Sequence, residues 1–198
     1  MKLNRVEKLM MNNPIRSRLQ RLEADQLRKM GGCVEGGHVL EVGCGRGAGT
    51  QLILATFGAT SVDAFDFDPD MVRRARKRLA PHGDRVRVWQ GDITSIEADD
   101  DSYDAVFDFA IIHHVPRWRD ALVEVLRVLK PGGRFFSEEV LRDFIHHPLW
   151  SRVLDHPMED RFDHDEFRDA LASGGFEVVA TQPVRRDMAF FVADKPTA

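Results

Sequence analysis

Glycines at 43, 45, 47 and 49 break an apolar run in this chain, and few folds accommodate that pattern. The run itself, Val39, Leu40 and Val42, has the length of a buried strand. A helical pattern follows at Leu52, Ile53 and Ala55, so the stretch reads as strand, glycine turn, helix. Glycine lacks a Cβ, which lets the backbone turn at positive φ and lets a ligand lie against main-chain N–H groups. Those amides sit near a helix N-terminus, where partial positive charge favours an anionic group such as a carboxylate or phosphate. Gly43, Gly45 and Ala48 also fit the relaxed G-x-G-x-x-G/A pattern of dinucleotide binding, which an ordinary tight turn can match as well.

Spacing narrows the choice. About twenty residues beyond the turn, a second apolar run, residues 60–66, ends on Asp66, a carboxylate placed to accept both ribose hydroxyls of an adenosine. A third run, Val86 to Trp89, leads into Gly91, Asp92 and Ile93, where the acid can take an adenine amino proton and Ile93 can offer its N–H. These motifs occur in order with Tyr103-Asp-Ala-Val-Phe-Asp108 and Leu129-Lys-Pro-Gly-Gly-Arg-Phe135. Over residues 36 to 140 the set resembles class I S-adenosylmethionine-dependent methyltransferases.

The resemblance implies a Rossmann-like α/β fold: a seven-stranded, mostly parallel sheet with an antiparallel last strand and helices on both faces. It implies S-adenosyl-L-methionine as cofactor. Gly43, Cys44 and Gly45 would hold the methionine part, with Glu41 near its amino group. Asp66, followed by Phe67, would bind the ribose, Asp92 and Ile93 the adenine, and Asp108 and Phe109 would lie beside the transferred methyl.

At 198 residues and 43% apolar, the chain suits one domain, 36–194, preceded by a helical cap, 1–35. No run approaches the ~18 apolar residues of a membrane span, and Met1 to Glu7 lacks a signal peptide's apolar stretch, so a cytoplasmic protein is expected. Cys33 and Cys44 have neither zinc spacing nor a disulfide framework's number. A net charge of −4 argues against a general nucleic-acid or anionic-membrane binder.

Val6, Leu9 and Met10, then Ile15, Leu19, Leu22 and Leu27 beyond Pro14, predict two helices that either form part of a substrate wall or cover the sheet. Asp68-Pro69-Asp70 predicts a helix start, with Met71, Val72, Ala75 and Leu79 inward. Its basic face, Arg73 to Arg78, lacks interleaved aromatics and reads as solvated rather than RNA-binding. The run Asp99 to Asp101 reads as a solvated turn, since consecutive acids cannot all face one ion.

Asp108 to Pro116 follows the fourth strand, where an open α/β sheet places its ligand. His113 and His114 are the candidate general bases, an imidazole pKa near 6.5 suiting proton removal from a hydroxyl, thiol or acidic carbon. Either can instead hydrogen-bond the start of the next helix. No metal site is expected: Ala110 and His113 stand where metal-holding relatives carry glutamates. Asp108 is followed by Phe-Ala-Ile and not by the prolines of enzymes that methylate amide or base nitrogens, which points to other acceptors.

The strand Arg134 to Ser137 ends at Glu138 and Glu139, which either bind a substrate cation or pair with Arg142 or Arg161. Residues 140–162, with Phe144, Ile145, His146, His147, Leu149, Trp150, Leu154, His156 and Met158, have the composition of a pocket for a hydrophobic small molecule, or of a protein contact. Asp163-His-Asp-Glu166 is a capping box. Phe176 to Ala180 and Met188 to Val192 are the last strands, and the link between them is too short for a parallel crossover. The expected activity is methyl transfer to a small, fairly hydrophobic acceptor through O, N, S or C. An NAD-dependent oxidoreductase and a non-catalytic S-adenosylmethionine-binding regulator are the other readings, and oligomeric state stays open.

Overall fold

A computed structural model describes residues 14–145 and 159–197. The expectations for Val6, Leu9, Met10, His146, His147, Leu149, Trp150, Leu154, His156 and Met158 lie outside the described residues. In chain order the elements are α1 (Pro14–Gly31), β1 (His38–Val42), α2 (Ala48–Leu52), β2 (Ser61–Asp66), α3 (Pro69–Leu79), β3 (Val86–Gln90), β4 (Tyr103–Phe109), α4 (Trp118–Val128), β5 (Leu129–Val140), α5 (Arg142–Ile145), α6 (His164–Ser173), β6 (Glu177–Val184) and β7 (Met188–Asp194).

Among the described residues the strands form one seven-stranded sheet, ordered β3-β2-β1-β4-β5-β7-β6. The pairs β1/β2, β2/β3, β1/β4 and β4/β5 are parallel, and β7 runs antiparallel to both neighbours. The short link behind that reversal includes Arg185 at φ 57, in the left-handed region. Strand order turns around between β1 and β4, and at such a switch point the carboxyl ends diverge into a crevice. The glycine turn and the carboxyl end of β4, which carries the buried Asp108, therefore meet at that point.

Strand alternation assigns the two faces of the sheet. On one, Leu40, Val42, Phe65, Val106 and Phe135 pack against Trp118, Leu122 and Val125 of α4 and Phe167 and Leu171 of α6. On the other, Val39, Val62, Phe107, Phe136 and Val192 meet Ala24 and Leu27 of α1 together with Ile53 and Phe57. Phe107 and Phe136 stack at 4.6 Å between ring centroids, and Phe57 meets both edge-on. Each fully buried Phe or Leu contributes about 1.5–3 kcal/mol, so these two layers hold the sheet flat against its helices. Of the described part of α1, Leu27 is buried, whereas Leu19 and Leu22 are 48% and 62% exposed. This helix covers a sheet face.

Local chemistry sets the helix ends. Asp68 caps α3 by accepting from the Asp70 N–H, with Pro69 next, and Met71, Val72, Ala75 and Leu79 are buried beneath an exposed basic face. Asp163 and Glu166 form the reciprocal capping box of α6. Two stretches depart from expectation. The helix after the glycine turn is one short piece, α2, that widens into a π turn over Ile53–Phe57, which brings both end residues inside. β5 begins at Leu129, well before Arg134, because Leu129 already pairs with Tyr103 and the Pro-Gly-Gly segment bulges out before pairing resumes at Arg134 with Ala105.

Candidate active site

Five parallel strands end side by side at the crevice, and their last residues carry most of its chemistry. Val42 lies opposite both Phe65 and Asp108, Asp66 opposite Gln90, and Phe109 opposite Glu138. Beyond β1 the backbone turns through Gly43, Gly45 and Gly47 at φ 67, 54 and 77. Gly43 leaves no choice of residue: a Cβ there would meet Ile111 side-chain atoms at 2.7 Å. At Gly45 a Cβ would meet nothing within 4 Å, so this part of the turn faces open space. Its N–H is tied to the second strand, donating to Asp66 Oδ2 at 2.8 Å, while Asp66 Oδ1 accepts the Asp68 N–H at 2.8 Å.

Asp66 thereby links the glycine turn to the start of α3, and each of its oxygens retains a lone pair. A carboxylate offers about four acceptor positions, so two remain for a pair of vicinal hydroxyls. Burial raises the Asp66 pKa, against the lowering effect of the two N–H groups. Phe67, beside it, is 49% exposed, an aromatic ring at the mouth of the crevice. Asp92 is exposed and accepts from the N–H and hydroxyl of Thr94 through Oδ1, while Ile93 is buried.

Glu41 points to the α1/α2 face, under the start of α2, where the Thr50 hydroxyl donates to it. Gly49 is required above it, since a Cβ would run into the Glu41 carboxyl and the Phe109 ring. Burial first, and the negative neighbours Asp66 and Asp108 after it, push the Glu41 pKa up to about 8 despite the Thr50 hydrogen bond. Cys44 is likewise buried, and burial followed by Glu41 and Asp66 pushes its thiol up. Phe109 has its ring in the same core layer as Phe107, stacked at 6.2 Å, so toward the crevice it offers its backbone and not its ring.

Asp108 alternates to the opposite face. Its Oδ1 accepts the Ile111 N–H at 2.9 Å and its Oδ2 the Ser137 hydroxyl at 2.9 Å. Burial, then the adjacent Glu139, hold its carboxyl well above the ordinary range. Glu139 accepts the Ile112 N–H at 2.8 Å and the His113 N–H at 3.2 Å, and lies 2.7 Å from His113 Nδ1. His113 is accordingly a buried, carboxylate-held ring, 3% exposed, with the half-buried His114 ring 4.2 Å from it. The expected ion pair from Glu138 or Glu139 to Arg142 is corrected: Arg142 bonds Asp163 at 2.8 Å and Glu166 at 3.0 Å, because the α6 capping box brings both acids to it. Arg161 donates to main-chain oxygens of His113, Val115 and Glu159. Glu138 and Glu139 are fully buried.

Sequence reading missed the roles of Thr50, Ile111 and Ser137. Ser137 was within reach, since it shares strand parity with Glu139 and lies opposite Asp108 once the β4/β5 register is known. The other two carry no local pattern. Among the described residues no three His, Cys, Asp or Glu side chains gather as a metal cluster, and no helix is long and apolar enough to cross a membrane.

A family profile described as a methyltransferase domain matches residues 39–133. Fatty-acid O-methyltransferase of Mycolicibacterium smegmatis (strain ATCC 700084 / mc(2)155) is 36% identical over 127 residues, 64% of this chain and 45% of that protein. Demethylmenaquinone methyltransferase of Clavibacter sepedonicus is 43% identical over 101 residues, 51% of this chain and 40% of that protein. The chain thus spans less than half the length of these curated relatives. Among solved structures, a SAM-dependent methyltransferase from Aquifex aeolicus superposes with a TM-score of 0.77 at 22% identity, covering 98% of this chain and 100% of that one. The [4+2]-cyclase SpnF gives 0.76 at 19% identity, covering 92% and 81%. Over residues 39–133 the chain matches a methyltransferase domain, and in fold and motif order it is similar to class I S-adenosylmethionine-dependent methyltransferases. The cyclase among its neighbours shows why the shared fold does not by itself name a reaction.

Proposed function

We propose that this chain transfers a methyl group from S-adenosylmethionine to a small, hydrophobic acceptor. One observation carries the reading: the open-faced Gly45 donates its N–H to Asp66, so the glycine turn and a carboxylate with acceptor positions to spare stand side by side. Glu41, Gly43, Cys44 and Gly45 would hold the methionine part, Asp66 and Phe67 the ribose side, and Asp92 and Ile93 the adenine. Asp108 and the Phe109 backbone would border the methyl. When bound, the cofactor supplies an electrophilic methyl on a cationic sulfur.

What this chain's residues contribute is alignment and a set of carboxyls that a cationic ligand would help to ionise. Glu41, Asp66 and Asp108 are raised carboxyls whose main neighbours are hydroxyls, N–H groups and one another, a setting that favours a cationic ligand. Orientation in such a crevice can supply much of the rate. For a base, the turn offers His114, half-buried, and His113, whose ring is held by Glu139. The hydrophobic acceptor is supported by the fatty-acid and menaquinone-type relatives and by the apolar composition of residues 140–162. The antiparallel β7 speaks against an NAD-dependent oxidoreductase, whose second nucleotide half would continue in parallel.

The test is calorimetry with S-adenosylhomocysteine and with NADH, followed by S-adenosylhomocysteine release from S-adenosylmethionine in the presence of long-chain fatty acids and hydroquinones. Binding of the first ligand, silence toward NADH and turnover with a hydrophobic acceptor are expected. Binding of NADH alone would overturn the reading.

A further inference from the structure

The turn between β4 and α4 is held by buried acids in an uncommon way. Three successive N–H groups are taken by two carboxyls: Ile111 by Asp108, and Ile112 and His113 by Glu139. The residue before them, Ala110, sits at φ 61, a left-handed conformation that is unfavourable for a non-glycine residue and persists only where surroundings enforce it. What the turn delivers is Ile111, whose side chain fills the space over Gly43 in the glycine turn. Any loosening of residues 111–114 is therefore felt by the glycine turn.

Glu139 does this work with no exposure to solvent. A buried carboxylate is tolerated when its lone pairs meet donors. Here two donors are fixed main-chain N–H groups, and the third position is His113 Nδ1 at 2.7 Å. With the carboxyl ionised, Nδ1 must carry the proton, which selects one of the two imidazole tautomers. Asp108 lies beside this carboxyl: burial and then Glu139 raise Asp108 strongly, and the hydrogen bond between the two lowers Glu139. On the far side, the buried Arg161 holds the His113 and Val115 carbonyls, and its charge acts on Glu139.

We propose that Glu139 is a positioning residue of the methyl-transfer site: as an anion it fixes His113 with its proton on Nδ1 and holds Ile111 against the glycine turn, setting that turn for the donor. The inference rests on the donor site proposed above. It adds a residue that touches neither donor nor acceptor and acts through its neighbours. Because burial pushes Glu139 up to about 7, against the effects of Asp108 and the two N–H groups, the clamp weakens on mild acidification. The groups facing it are Asp108 from β4, Glu138 on its own strand, His113 from the turn and Arg161 from the segment before α6.

The experiment compares the wild-type chain with Glu139→Gln and Glu139→Asp by S-adenosylhomocysteine calorimetry between about pH 6 and 8, and by imidazole nitrogen NMR with His113→Gln for assignment. In Glu139→Gln the amide has one oxygen for three donors, so affinity should fall about tenfold, the loss of one hydrogen bond to a charged group. Glu139→Asp should recover part of it. Wild-type His113 should show Nδ1–H, and Glu139→Gln should lose the component of the wild-type pH profile near 7. Wild-type His113 protonated on Nε2, or a Gln variant with unchanged affinity and pH profile, overturns the inference. Wild-type protein that binds no S-adenosylhomocysteine overturns the donor-site reading and this inference with it. If Glu139→Gln does not fold, the Asp variant and the wild-type tautomer decide.

Discussion

Two groups of acids sit on the same sheet and are treated differently. Toward the amino ends of the strands, Asp63 meets the Arg87 guanidinium at 2.6 Å, the Tyr103 hydroxyl at 2.9 Å and His38 at 3.4 Å. Asp104, nearby, takes Lys130 at 2.6 Å and the His38 N–H at 2.8 Å, and although burial opposes it, those two hold its pKa down. Toward the carboxyl ends, Glu41, Asp66, Asp108 and Glu139 have hydroxyls, N–H groups and one another, and burial holds all four up. The first group is neutralised by the protein's own cations and serves the fold. The second is held in a raised, proton-binding state, and the proposed ligand, a sulfonium carrying an ammonium group, has the sign that would help it ionise.

Three measurements can break or sharpen that contrast. The largest effect is expected for Asp66→Ala, which removes the hydroxyl acceptor and the Gly45 tether together. Two hydrogen bonds to a charged group correspond to roughly a hundredfold loss of S-adenosylhomocysteine affinity, read by calorimetry, and unchanged binding would remove the carboxyl edge from the site.

Next comes pH. The Glu41 carboxyl is raised by burial from 4.5 to about 8, so between those values the folded chain holds a proton that the unfolded chain has released. Stability without ligand should therefore be full below about 4.5 on this group's account and decline as pH rises toward 8, and Asp66, Asp108 and Glu139 push in the same direction. Affinity for the ammonium-bearing ligand should move oppositely, rising by up to about tenfold per pH unit as Glu41 ionises. Glu41→Gln should flatten both trends, in thermal melts and in titrations. A wild-type melting curve that climbs across this window would contradict the contrast.

The smallest effect belongs to the amino-end group. Tyr103→Phe deletes one hydrogen bond to Asp63 and should cost about 1 kcal/mol of stability by denaturant titration, with ligand affinity unchanged. A change in affinity would mean that the two groups are coupled through the sheet.

The positions of the residues proposed for the donor side were legible because they are close in sequence. The glycine turn, Asp66 two residues before its α3 cap, and Asp92 after β3 each carry a local pattern, and each lies at the carboxyl end of its strand. The acceptor side was legible in position but not in connection. His113 and His114 were placed after β4, yet nothing near them in sequence points to Glu139, 26 residues away along the chain. Phe109 shows the same gap in another form. Its position beside Asp108 suggested a shared role, whereas strand alternation sends one side chain to each face.

The order of motifs, the short final link and the runs of apolar residues determined the architecture, because backbone turns, strand lengths and helix caps depend on neighbours within a few residues. Which carboxyls would find cations and which would be left with neutral donors was decided only by the β4/β5 register and the packing of α2 and the turn over the sheet. A pKa depends on burial and on charges brought close by folding, and neither is written in the spacing of residues along the chain.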